Sequence, residues 1–358
     1  MNINFLTFVL ALAIAASGYA ADSFLVEPVK LKESAAIQWE GRSNETIDAQ
    51  KITQPVSILL WRCSNIVISV CDLRSIELAE CQNVTIRNCW IHDSTHCGVE
   101  ISKSKNVIVQ GCRMESVASG VYAVLSQNIQ VIGNFVRNVN GPLPRGQLAQ
   151  FDKVSGPDNI IRSNYAVNDY SLSNPEDLIS LYMSNGEVNS PILIEDNFLT
   201  ADAKRGSSDK STSGSGIMLG DSSGSYLTCR RNVIVSAGQV GIGVAGGRFV
   251  RVEDNLIYGR KSNVSNVGLY IWNQSGQPSD HVVLSRNRVQ WLSQTGEENS
   301  WWDGGGVQNV EFTGNQLADP TLEAALPSPP TRAPMPPKPW VSPNDNGVAV
   351  ARLPWKPK

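Results

Sequence analysis

The 358 residues are 41% hydrophobic and only 18% charged, with a formal net charge of -3. That balance can fill a core, which excludes a disordered polymer. The slight acidity excludes nucleic acid as the main partner.

Residues 1–20 hold a short apolar run followed by Gly18-Tyr19-Ala20. This reads as a secretory signal peptide with a small-residue cleavage site. The mature protein is therefore expected to be secreted or periplasmic, with no membrane span once the signal is removed. Residues 21–55 lack the pattern that follows and read as an N-terminal cap over the first coil.

From residue 56 to 317 one phrase recurs, clearest in Gln82-Asn83-Val84-Thr85-Ile86-Arg87-Asn88-Cys89. A polar anchor opens a short alternating strand, and a small residue six positions on closes it. Asn65/Cys71, Asn83/Cys89, Asn106/Cys112 and Asn128/Asn134 follow this offset. So do Asp158/Asn164, Pro191/Asn197, Tyr226/Asn232, Phe249/Asn255, His281/Asn287 and Asn309/Asn315. Anchors lie 18 to 35 residues apart, the period of a stacked array in which each unit contacts only its neighbours. Coils stack at roughly 4.8 Å, so equivalent closers pile up. Asn there is expected to bond along the pile and to take the left-handed backbone of the corner.

Each coil also carries a second apolar run, such as Gly98–Ser102, Leu148–Asp152, Leu178–Tyr182 or Gly268–Trp272. Short strands with many Gly and Asn turns and no helical period predict an all-β fold. The architecture is a single-stranded parallel β-helix solenoid of about ten coils. The chain resembles the right-handed parallel β-helix, or pectin-lyase-like, superfamily over about residues 56–317. Residues 318–358 are a Pro-rich tail; 320–358 hold eleven of the nineteen prolines.

Seven cysteines in an exported chain invite disulfides. Cys71, Cys89 and Cys112 share one coil position, and Cys63 and Cys81 another, which favours stacked free thiols. Cys89/Cys97 and Cys97/Cys112 are the pairings left open.

The links 135–147, 165–177, 198–215, 256–267 and 288–303 are longer than the others and lead into the second run. Insertions on one side of a solenoid commonly wall a binding site, and 198–215 reads as a lid. The groove floor is then the outward side of the second run. Alternation points Ala149, Phe151, Ile179 and Leu181 inward. It points Gln150, Asp152, Ser180, Tyr182, Met218, Tyr270 and Trp272 outward. Aromatic faces beside polar groups suit sugar rings.

Asp152, Asp177 and Asp221 lie on three consecutive coils of this face, with Lys153 and Glu176 beside them. Paired carboxylates are what glycoside hydrolysis needs, one protonating the leaving oxygen and one activating water or attacking. Lys153 beside Tyr182 supports a second chemistry, β-elimination on a uronate, where a cation stabilises the substrate carboxylate. The resemblance implies both activities, yet no catalytic motif of a pectate lyase, polygalacturonase or mannuronan epimerase is present. A non-catalytic glycan-binding surface protein is the alternative from another class.

The expected function is thus an exported enzyme cleaving a polysaccharide, hydrolysis ahead of elimination. Asp152, Asp177, Asp221, Lys153 and Glu176 are the catalytic candidates. Gln150, Ser180, Tyr182, Tyr270, Trp272 and Gln274 are the substrate-binding candidates. No cofactor is required, although Ca²⁺ suits the same acids. His92 and His96 stand four apart in a turn and not on a helix, so no metal site is assigned to them.

Overall fold

The computed structural model describes residues 30–169, 172–201 and 214–330. The chain winds through three strand stacks. Short strands that follow the closers form a 12-stranded sheet. In it Trp90–His92, Arg113–Glu115, Phe135–Arg137 and Tyr165–Asn168 pair in parallel, coil upon coil. The phrase strands form a second face, with Gln82–Arg87 between Ser64–Ser69 and Lys105–Gln110. The second runs form a third face, here called the floor sheet. Val99–Ser102, Val121–Val124, Ala149–Asp152 and Ile179–Asn185 are among its strands. The 14-residue strand Ile217–Arg230 runs through the second and third faces and joins them.

Alternation sets the core. Ala149, Phe151, Ile179, Leu181, Ile217, Leu219, Leu269 and Ile271 all point inward and are buried, as expected. Burying such side chains contributes about 1.5–3 kcal/mol each for the larger ones.

The corners carry a correction. The left-handed residue is not the closer but the one before it, as at Asn88, Asp196, Arg231, Asp254 and Arg286. The closer itself must aim its side chain into the coil, which extended backbone allows. Most anchors are left-handed too, from Asn65 (φ 54) to Asn309 (φ 51); Pro191 is the exception because its ring holds φ negative. Two ladders follow. Exposed anchors bond through Asn83 Nδ2 to Asn65 Oδ1 at 2.9 Å and Asn106 Nδ2 to Asn83 Oδ1 at 2.8 Å. Further down, Tyr226, Phe249 and His281 stack instead, with ring centroids 4.8 and 4.9 Å apart. Buried closers bond as Asn164 Nδ2 to Asn197 Oδ1 at 3.0 Å and Asn197 Nδ2 to Asn232 Oδ1 at 2.9 Å.

All seven cysteines are buried free thiols. Neither pairing left open by spacing forms. Cys89 points into the closer file, whereas Cys97 lies at the corner before the floor strand, beside Arg145, and burial pushes its thiol up to about 11.

The segment read as a cap contains a coil of its own. Ile37–Glu40 pairs with Ile58–Trp61, and Ser43–Asp48 with Ser64–Ser69. Glu45 hid it, standing where the next coil has Ile66; at the solenoid's end that position is half-buried and tolerates a charge. At the other end, Val310 and Phe312 are in register with buried Val282 and Leu284. They remain 37% and 38% exposed, and Phe312 packs against the Trp301 ring at 4.6 Å. A short helix, Leu322–Ala325, follows and buries Leu322. The signal segment, the centre of the 198–215 link and the tail beyond 330 lie outside the described residues. No described helix is long and apolar enough to cross a membrane.

Candidate active site on the floor sheet

The long links leave the 12-stranded sheet and enter the floor sheet, so they flank one face. Each is shorter than its sequence range, because it opens with a strand of that sheet, as Phe135–Arg137 and Tyr165–Asn168 do.

Register places Gln150, Ser180, Met218, Gly243, Tyr270 and Trp302 in one outward file. Asp152, Tyr182 and Asp221 form the next file, on consecutive strands. Asp152 and Asp221 are therefore two strand spacings apart, roughly 10 Å along the backbone.

Asp221 sits where its strand is irregular. Register shifts occur between Ser180 and Tyr182 and again between Tyr182 and Ser184. Each gives strand Ile217–Arg230 one more residue than its neighbour, which is what a β-bulge does, and bulges re-aim side chains. Gly220 makes this possible: its φ is +63, and a Cβ there would meet Gly246 O at 2.2 Å.

Asp177 comes from the corner ahead of the floor strand and is half-buried. Burial, and then the Asp221 charge, push its carboxyl up to about 6, against a hydrogen bond from Ser215. Burial also raises Asp221, opposed by the Ser222 N–H. Tyr270 completes the group. Its phenol is held above the usual range by burial and by the charges of Asp177 and Asp221. It therefore stays a donor. Gln274 Nε2 donates to the phenol oxygen at 2.9 Å, and the hydroxyl reaches Met218 Sδ at 3.2 Å.

Tyr270 reaches Met218 across the intervening coil because that coil has Gly243. A Cβ on Gly243 would meet ring atoms of Tyr270 at 2.6 to 2.7 Å. Gly243→Ala is expected to cost about 1–3 kcal/mol by overpacking. The cost should vanish in a Tyr270→Ala background, which thermal unfolding of the four proteins of the cycle checks.

Asp152 does not join this group. Its Oδ2 accepts the Tyr122 hydroxyl at 2.9 Å, and Lys153 Nζ lies 3.6 Å from Oδ1. Lys153 also stands 5.6 Å over the Tyr182 ring. Arg145 lies 3.6 Å over the Tyr122 ring and donates to Gln150 Oε1 at 3.2 Å. Tyr122 and Arg145 were missed from sequence. Tyr122 could have been found by carrying the outward file one coil back, since it is in register with Gln150. Nothing in the Pro144-Arg145-Gly146 loop signals the direction of Arg145.

Other candidates are placed less directly. Glu176 is half-buried in the corner beside Asp177, its N–H bonded to Gly146 O at 3.1 Å. Ser180 faces outward but is only 3% exposed, its short side chain lying between the longer Gln150 and Met218. Tyr270 is not the open platform expected: its ring is buried with Val240, Val267 and Met218, and its hydroxyl is bonded by Gln274. Trp272 and Trp302 are 42% and 44% exposed and meet edge-on at 5.6 Å. Trp301, by contrast, packs on the core.

Among the described residues no group of three or more His, Cys, Asp or Glu side chains is arranged to hold a metal ion. The Ca²⁺ expectation thus has no side-chain cage, since Asp152 is drawn to Tyr122 and away from the other two acids. His92 bonds Asp72 at 2.8 Å and stacks on Trp90, while His96 faces Glu77 at 3.6 Å. The two histidines serve different neighbours.

A family model described as the right handed beta helix region matches residues 34–189. The parallel coil-on-coil pairing carries the same fold beyond that match, to the strand Gln316–Leu317. Similar solved structures include the catalytic domain of a GH87 alpha-1,3-glucanase in complex with nigerose. It is 11% identical, with TM-score 0.42, over 81% of this chain and 64% of that one. A PL6 family polysaccharide lyase from Pseudopedobacter saltans is 11% identical, with TM-score 0.44, over 84% of this chain and 90% of that one. The surface adhesin PfbA of Streptococcus pneumoniae is 12% identical, with TM-score 0.41, over 80% and 75%. This β-helix spans less than two thirds of the glucanase chain. A search of curated proteins returned no match.

Proposed function

We propose that this β-helix protein is an exported glycoside hydrolase that binds a polysaccharide chain along the floor sheet. One observation carries the reading: Asp177 and Asp221 both have raised carboxyls, and Asp177 and the Tyr270 phenol both feel the Asp221 charge. Crowded acids titrate apart, which yields one acid and one base from like residues. Asp177, protonated up to about pH 6, serves as the general acid on the glycosidic oxygen. Asp221, ionised, activates water or attacks the anomeric carbon. The Tyr270 hydroxyl hydrogen-bonds the sugar or the carboxylate as charge shifts. Activity is expected to fall as pH rises through about 6 because the acid loses its proton.

Trp272 and Trp302 supply a sugar-stacking subsite at the C-terminal end of the groove. Replacing both with Ala is expected to raise KM by roughly thirtyfold with kcat little changed, in line with stacking contacts of about 1 kcal/mol each. Initial-rate kinetics check this.

Lys153 over Tyr182 favours a second reading, β-elimination, in which Tyr182 removes a proton and Lys153 stabilises the uronate. Digestion of a glycan panel separates the two. New reducing ends without unsaturated-uronate absorbance support hydrolysis, and that absorbance selects elimination. Binding without turnover at any pH leaves a glycan-binding protein.

A further inference from the structure

We infer that the groove is built for a glycan without anionic groups. The inference rests on the reading of the floor sheet as the glycan groove, and it excludes elimination on a uronate there.

The two outward files of the floor sheet, followed from Leu59 and Trp61 to Trp302 and Gly305, contain Glu77, Glu100, Asp152 and Asp221. They contain no Lys or Arg. Glu77 and Glu100 are directly opposed on adjacent strands, a like-charge pair roughly 4.8 Å apart along the backbone. Burial and the Glu100 charge hold the Glu77 carboxyl above its usual range, and only His96 relieves it. Asp177 adds a further acid at the rim beside Asp221.

Among the described residues, the cations that border the floor face partners of their own. Arg145 lies on Tyr122 and bonds Gln150. Lys153 pairs with Asp152. At the far corner Arg62 pairs with Glu80, which also feels Lys103. A polyuronate presents one carboxylate per sugar. Laid along this floor it would set those charges over a row of carboxylates, in a cleft that focuses the field. Like-charge juxtaposition of this kind is how surfaces reject the wrong partner. Uncharged or ammonium-bearing sugars meet no such penalty, and the aromatic end at Trp272 and Trp302 offers them apolar faces.

Affinity electrophoresis of the full chain tests this, with Asp177→Asn as the form that does not cleave. The probes are laminarin and dextran (uncharged), chitosan oligosaccharides (ammonium-bearing), and polygalacturonate and alginate (polyuronates). Retardation is expected with an uncharged or ammonium-bearing probe, and none with either polyuronate at low ionic strength. Salt sensitivity should appear with chitosan and not with the glucans. Glu77→Lys combined with Glu100→Lys is expected to gain polygalacturonate retardation that added salt abolishes. Retardation of the Asp177→Asn protein by a polyuronate at low salt overturns the inference, as does retardation by none of the probes. If an uncharged probe binds but the native chain releases no reducing ends from it, the hydrolase reading falls and this inference stands.

Discussion

Asn232→Ala lowers stability by about 3–5 kcal/mol, the expected loss for several buried polar groups stripped of partners at once. Asn232 is fully buried. Its Oδ1 accepts from the Asn197 backbone N–H at 3.1 Å and from Asn197 Nδ2 at 2.9 Å. Its Nδ2 donates to Ile194 O and Asn255 Oδ1, each at 3.0 Å. Alanine takes this partner from Ile194 O and from both Asn197 donors, while Asn255 Oδ1 keeps the backbone N–H of residue 232 at 2.9 Å. Asn83→Ala is the control. Asn83 bonds its neighbours at similar distances, 2.8 and 2.9 Å, but in the exposed ladder. Water replaces the lost bonds there, so the cost should stay below about 1 kcal/mol. Urea unfolding of both variants checks the contrast. In a solenoid the break at Asn232 separates two half-stacks, so its transition is also expected to broaden. Equal losses at the two sites would show that burial does not set the ladder's value.

Asp177→Asn is expected to lower kcat by about 10²–10⁴ while leaving KM nearly unchanged, the loss typical of a removed general acid. The same substitution should raise stability at neutral pH. The Asp177 carboxyl moves from 3.8 to about 6 on folding. The native state then binds more protons than the unfolded state between those values. Stability falls as pH rises through that window and levels off above about 6. Asn has no charge to bury, so it recovers roughly 2–3 kcal/mol at pH 7 and nothing below about pH 4. Activity lost together with stability gained marks a functional group and not a structural one. Thermal midpoints from pH 3 to 8, read beside initial rates, test both halves. A variant less stable than the native chain at pH 7 would mean that the carboxylate is favourably paired, and the acid assignment would fail.

The six-residue offset from anchor to closer is local information, and it locates the coils from residue 56 onward. It failed at Asn44, where Glu45 breaks the apolar alternation at the solenoid's open end. It also misplaced the left-handed residue, since spacing counts positions and does not say which one turns.

The sequence by itself determined the fold and the outward set of the floor sheet, because a period of two leaves no choice of face once Phe151 and Leu181 must be buried. It did not determine which outward residues meet. Asp152, Asp177 and Asp221 are equal candidates in the sequence, yet Asp152 turns back to Tyr122 while the charges of the other two both bear on the Tyr270 phenol. That division depends on the bulges around Asp221, on the corner that carries Asp177, and on a ring from two coils away that crosses Gly243. Each is a contact between residues tens of positions apart, set by how coils of unequal length lie on one another. Only the tertiary structure holds that information.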